Sequence, residues 1–350
     1  MFPKTDVLAK ELTVSPIGKC NASEKLALTV LQGLVNQEAP QIYLVQEIAK
    51  DDPQYQFLQI IQEQGVKWKS YENPWQLFSV FKEKVAGLVV YDPKILASVD
   101  IALALASKEN LIPVTTEIAQ TLNEQFQFPV KDDLQGRWGS ELAAHTWAYT
   151  ELWPKFRRDL FVFLMYAGEV RIPHKLPLTS WSPYPYEAAD YLVQHEIFPY
   201  TMLIKTIEGD FRKSIPELRE AVTEEEIAIC EQYLADLPPN TPALTGFNIP
   251  FGEHHGVGLL SAHGIFSLPI PGPNLSVHAA TNFKPSVPFK QTARRKKDEE
   301  VLKKDKVYLT FILSDGDNLG TYPTKMAQWD DPKRGEVPIA WCAARNWNFT

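Results

Sequence analysis

Apolar residues recur at helical spacing in Ala27, Val30, Leu31, Leu34 and Val35, which predicts a helix with one buried face. Asn21, followed three residues later by Glu24, supplies an N-cap of capping-box type. A short strand over 41–45 follows Pro40. Then comes a helix with Phe57, Leu58, Ile60 and Ile61 inward, a strand near 66–68 and a helix around 75–81. The run 87–91 (Gly-Leu-Val-Val-Tyr) is continuously apolar, as in a strand buried on both faces of a parallel sheet. Asp92-Pro93 is read as opening the next helix, and 111–114 as another strand. Strands and helices alternating through short connections predict an open α/β layer fold with a parallel sheet.

From about Ala143 the pattern is less regular. Strands are predicted at 161–165 and 200–204, with a helix near 187–195 between them. The stretch 171–186 is rich in proline and contains Trp181, Tyr184 and Tyr186; it reads as a rigid loop, packed or sugar-stacking. Residues 224–237 form a helix with three acids in its first turn, where the helix dipole favours negative charge, and Pro238-Pro239 stops it. The domain boundary is placed there. This gives an N-terminal α/β domain over 1–238, with a subdomain break near 130–160, and a second domain over 239–350. In the second region 243–249 reads as a strand and 257–266 as a helix or turn. Residues 275–279 read as a strand, 294–306 as a charged helical connector, 307–313 as the strongest strand of the chain, and 337–342 as the last.

Composition narrows the partners. The 350 residues carry a net charge of −8, so no cationic excess is available to displace counterions from a nucleic-acid backbone. No apolar run is long enough for a membrane span, and the first residues lack a signal-peptide core. Cys20, Cys230 and Cys342 are far apart and odd in number, which gives neither a disulfide framework nor a zinc spacing. Twenty-seven prolines and nine tryptophans point to rigid loops and to flat aromatic surfaces that fill a core or stack on sugars.

Two constellations could carry chemistry. Ser314-Asp315-Gly316-Asp317-Asn318 lies directly after the strongest strand, and ligands in α/β folds bind at the carboxyl ends of strands. Asp315 and Asp317 suit a divalent cation, hydrogen bonds to sugar hydroxyls, or divided acid and base roles. The same residues also suit an Asx-turn at a helix start. The second constellation is Gly252-Glu253-His254-His255-Gly256, with His263 and His278 following. Adjacent histidines on a helix point about 100° apart, so Glu253 as an acid or base is a better reading than a His-bound metal. The sequence holds no P-loop, no dinucleotide-binding glycine fingerprint and no G-x-S-x-G.

The segments Leu31-Gln32-Gly33-Leu34-Val35-Asn36, Pro40-Gln41-Ile42-Tyr43, Leu244-Thr245-Gly246, Glu253, Ser261-Ala262-His263-Gly264 and Asn274-Leu275-Ser276 occur in an order that resembles the glycoside hydrolase family named for a G-x-G-Y-x-Y-P motif. So do Ser314–Asn318, Arg334-Gly335 and Val337-Pro338-Ile339. The name-giving string itself is absent, and Thr321-Tyr322-Pro323 is only an echo of it. The resemblance implies an N-terminal α/β domain followed by a (β/α)-barrel-like domain, in bacterial and often exported or periplasmic proteins. A full barrel takes about 250 residues, so the resemblance implies a chain that stops inside its barrel.

The expected function is hydrolysis of glycosidic bonds in a polysaccharide or glycan. Asp315, Asp317 and Glu253 are the expected catalytic carboxylates. Asn318, His278, His263, Trp341 and Trp181 are the expected substrate contacts, with no cofactor. Two other readings remain open at this stage. One is a metal-dependent deacetylase or phosphoesterase with a divalent cation on Asp315 and Asp317. The other is a glycan-binding surface module without turnover.

Overall fold

The structure is a computed structural model. It describes residues 10–50, 52–166, 188–203, 223–247, 252–268 and 272–281, and beyond these 305, 307, 309, 311–313, 332–333, 336 and 339–341. The chain divides into two compact units, Met1–Thr281 and Asn282–Thr350.

The first unit is built by winding one pattern three times. The first turn of the pattern is β1 (Glu11–Pro16), α1 (Ala22–Val35), β2 (Ile42–Val45), α2 (Pro53–Glu63) and β3 (Lys67–Ser70), giving a parallel sheet of order β2-β1-β3. After α3 (Gln76–Val80) the second turn is β4 (Gly87–Val90), α4 (Ala97–Glu109), β5 (Leu111–Val114), α5 (Thr116–Phe126) and β6 (Val130–Asp133), of order β5-β4-β6. Helix α6 (Glu141–Glu151) leads into the third turn. That turn comprises β7 (Phe161–Tyr166), α7 (Ala189–Gln194), β8 (Pro199–Leu203), α8 (Glu224–Ala235), β9 (Pro242–Phe247), α9 (Gly252–Ala262), β10 (Phe266–Leu268) and α10 (Leu275–His278). Its four strands are parallel in the order β10-β9-β7-β8. In each sheet the first strand lies between the second and the third. The point where the winding reverses therefore falls between first and third strands, where α/β sheets open a crevice at their carboxyl ends.

The expected alternation is thus present, with the capping box of α1 formed as read: Glu24 N–H donates to Asn21 Oδ1 at 3.0 Å and Asn21 N–H to Glu24 Oε2 at 2.7 Å. Ala27, Val30, Leu31, Leu34 and Val35 are all buried. Helix α4 is buried from Ala97 through Ser107, and its many small residues let it sit inside the unit rather than on its surface. One contiguous core joins the three sheets, from Leu26 on α1 through Leu103 on α4 to Phe198 beside β8.

Three expectations change. Residues 275–278 form helix α10, not a strand, because Asn274 takes a left-handed turn (φ 60°, ψ 27°) that breaks any extended run. Leu275, Ser276 and Val277 are all buried, so the apolar–polar alternation marked no exposed face. Helix α4 opens at Ala97 rather than at Asp92-Pro93. The Asp92 carboxylate is used in a turn, accepting Lys94 N–H at 2.9 Å and Gly136 N–H at 3.0 Å, while Glu141 accepts the N–H groups of Leu96 and Ala97 at the true helix start. Strand β1, the centre of the first sheet, lies before the first element read from the pattern.

In the second unit the described strands are β11 (Phe311–Leu313) and β12 (Ile339–Trp341), paired in parallel with Leu313 opposite Trp341. The expected long strand over 307–313 is thus described as strand only at its end, and Val307 and Leu309 are 97% and 76% exposed. The expected connector over 294–306 lies almost wholly outside the described residues.

Candidate functional site

Of the expected catalytic residues the structure describes Glu253 alone, and that through its backbone. Glu253 stands in the first turn of α9, which follows β9, so chain connectivity puts it at the carboxyl edge of the third sheet. Strand β9 pairs with β7 along that edge up to Phe247 opposite Met165, and β7/β9 is the reversal point of the winding. Asp315, Asp317 and Asn318 follow the carboxyl end of β11 in sequence but lie outside the described residues, as does Trp181. Trp341 ends β12 and is in register with Leu313, so its backbone lies at the strand end from which Ser314 departs.

The structure separates two of the expected site residues and puts a third in a different setting. His263 lies just past the last turn of α9 and Glu253 in its first, about 15 Å apart along the axis at 1.5 Å per residue. His278 ends α10 and packs its ring at 5.7 Å from that of Tyr43 and at 5.0 Å from that of Phe57. Its Nε2 is 3.3 Å from Gln54 Oε1 and 3.4 Å from Tyr43 Oη. Burial pushes its pKa down to about 4, so near neutrality the ring carries no charge. Among the described residues no group of three or more His, Cys, Asp or Glu is placed to hold a metal ion. No described helix is long and apolar enough to cross a membrane.

Two polar clusters that sequence reasoning passed over are built around sheet edges. Strand β8 is an edge of the third sheet, and Thr201 faces outward from it. Asp100 on α4 accepts Thr201 N–H at 2.6 Å and is 2.8 Å from its hydroxyl. His145 on α6 lies 3.1 Å from Thr201 carbonyl oxygen through Nε2, so the ring donates there. Burial raises Asp100 to about 7, helped by the nearby Glu141, and lowers His145 to about 4. Strand β2 is an edge of the first sheet. There Asn36 Oδ1 accepts Ile42 N–H at 3.0 Å, and Gln32 Nε2 donates to Ile42 carbonyl oxygen at 3.0 Å. Asn274, 230 residues away in sequence, accepts Leu44 N–H at 2.7 Å and donates to Leu44 carbonyl oxygen at 2.7 Å. Gln32, Asn36, Asn274 and Ser276 are among the residues that carry the family resemblance. Their clustering was the available signal, and it marks architecture rather than chemistry.

Comparison with known proteins gives matches to three family models. Residues 11–83 match "GxGYxYP_N 1st domain", residues 85–156 match "GxGYxYP_N second domain", and residues 305–347 match "GxGYxYP putative glycoside hydrolase C-terminal domain". The first two spans contain the first and second turns of the winding, and the three together take in more than half of the chain. Among solved structures, a chain from Bacteroides thetaiotaomicron described as "a putative hydrolase" is 18% identical, with a TM-score of 0.69 over 98% of this chain and 59% of that one. This chain therefore spans about three fifths of the length of that relative, and the likeness is one of fold. No curated protein matches it.

Proposed function

The chain belongs to the GxGYxYP family, and from that premise we propose that it acts as a glycoside hydrolase on a polysaccharide or glycan. The observation that carries this reading is the match of 305–347 to the family's C-terminal domain, since that span holds the Ser314–Asn318 string immediately past the end of β11. In this reading β11 and β12 are strands of a (β/α)-barrel-like domain, whose catalytic groups sit on the loops after strand ends. One of Asp315 and Asp317 protonates the leaving-group oxygen or activates the attacking group, the task that glycosidases give to carboxyls. Gly316 between them leaves room for a ring to approach the backbone. Asn318 and Trp341 offer a hydroxyl partner and a stacking face. Glu253, in the first compact unit, is a separate candidate carboxylate, supported by its place at a strand-end reversal point of its own sheet, and its role is tested apart from that of the aspartates.

Glycan-library turnover measured on Asp315→Asn, Asp317→Asn and Glu253→Gln tests the proposal. Removing a general acid or base is expected to lower kcat/KM by roughly 10²–10⁴-fold with little change in KM. Wild-type turnover in both asparagine variants would remove the aspartates from the mechanism; wild-type turnover in Glu253→Gln would leave that residue a helix-start acid.

A further inference from the structure

Among the described residues five buried side-chain polar atoms have no hydrogen-bond partner, and three of them, Asp190 Oδ1, Tyr191 Oη and Gln194 Oε1, stand on the six residues of α7. Buried polar groups of folded chains are nearly always partnered, by protein or by ordered water. Asp190 and Gln194 are four residues apart and so share one face of the helix, whereas Tyr191 stands about 100° round from Asp190. Asp190 and Gln194 are 0% and 7% exposed.

Their other atoms show what that face meets. Asp190 Oδ2 accepts Ser276 N–H at 2.8 Å, and Gln194 Nε2 donates to Asn36 carbonyl oxygen at 2.5 Å. Asn36 Nδ2 in turn donates to Ser276 Oγ at 2.9 Å. Asp190, Ser276, Asn36 and Gln194 therefore close a ring across α7, α10 and the end of α1. The Asn36 carbonyl only accepts, so it fixes which end of the Gln194 amide is nitrogen and leaves Oε1 unspent. Burial raises the Asp190 carboxyl to about 6, against the hydrogen bonds from Ser276. Above that pH it holds no proton to give, and both unspent oxygens can only accept.

We propose that one buried water molecule is bound in this ring, donating its two hydrogens to Asp190 Oδ1 and Gln194 Oε1. Water carries the two donors that the two oxygens lack, and two to four polar partners are what a buried water has. A divalent cation is the poorer fit. Calcium takes six or more oxygens, and Ser276 N–H and Asn36 Nδ2 bring donor hydrogens to the ring, which repel a cation. The bound water completes the polar seat through which α7 meets α1 and α10.

An atomic-resolution crystal structure of the full chain, grown above neutral pH, tests this. The expected result is a peak about 2.5–3.0 Å from both Asp190 Oδ1 and Gln194 Oε1. A peak with several oxygens at about 2.0–2.6 Å, the distances of a bound divalent ion, would overturn the proposal. So would direct contact between the two oxygens with no peak, which would place a proton on Asp190. Oxygen-17 relaxation dispersion in solution gives a second measurement, since it counts long-lived internal waters. Gln194→Met keeps the length of the side chain and removes the acceptor, and it is expected to show one such water fewer than the wild-type chain. An unchanged count would overturn the proposal, and the crystal decides it without any variant should Gln194→Met fail to fold.

Discussion

Asp100 and His145 show how burial fixes the charge state of a side chain and thereby the pH dependence of the fold. Both are enclosed on opposite groups of Thr201, and among the described residues no ion pair offsets the burial of either. A carboxyl whose pKa rises to about 7 in the folded chain binds a proton that the unfolded chain releases. Its contribution is therefore fully present below about pH 4 and is lost as pH rises through about 7. Asp190, raised to about 6 by burial, acts in the same sense. His145, His195 and His278, each lowered to about 4 chiefly by burial, act in the opposite sense: their contribution is present above about 6.5 and is lost as pH falls toward 4. Asp100→Asn keeps an acceptor for Thr201 while removing one descending limb. Its stability is expected to climb more steeply with pH than that of the wild-type chain between 4 and 7, by at most about 1.4 kcal/mol per pH unit. Urea melts across that range measure it; parallel curves would show that the Asp100 carboxyl titrates at its ordinary value.

Helices report how far local pattern reaches. The face of α1 was legible because its period, its capping box and its buried residues agree, each set by neighbours a few positions away. Helix α10 was not, because four residues cannot distinguish a period of 2 from one of 3.6, and the groups that bend it lie on α1, β2 and α7. Two glycines separate these levels. Gly33 and Gly258 both stand inside helices, where alanine ordinarily gains about 1 kcal/mol. At Gly258 a Cβ meets nothing within 4 Å, so Gly258→Ala is expected to stabilise by about that amount. At Gly33 a Cβ falls 2.5 Å from Asp190 carbonyl oxygen, where α1 crosses α7. Gly33→Ala is thus expected to destabilise by about 1–3 kcal/mol, the cost of forcing packed elements apart. Thermal melts of the two variants should move in opposite directions; a shared direction would mean that helix propensity, not the α1–α7 approach, decides both.

At the scale of the molecule, what the sequence could not display was closure. The catalytic candidates were legible as polar residues after an apolar strand, and the alternation of strands and helices was legible as α/β. The threefold winding was not, since strand order is a property of pairing between distant segments and leaves no local trace. It has a direct consequence for where the chain can be cut. The helix stop at Pro238-Pro239 lies between strands of the third sheet, because β9 lies between β7 and β10 and pairs Ala243 with Phe161 and Phe247 with Met165. A fragment ending at residue 238 would leave one long side of β7 unpaired and would also lack Asn274, so that Leu44 on β2 would be open. Unpaired edges of this kind template association. A fragment ending at Thr281 keeps both closures, and it is expected to be monomeric and to melt in one cooperative transition, whereas the shorter fragment is expected to self-associate. Sedimentation and thermal melting of the two fragments decide the matter: equal behaviour would show that β9, β10 and the Asn274 contacts with Leu44 are accessories to a fold already complete at Pro238.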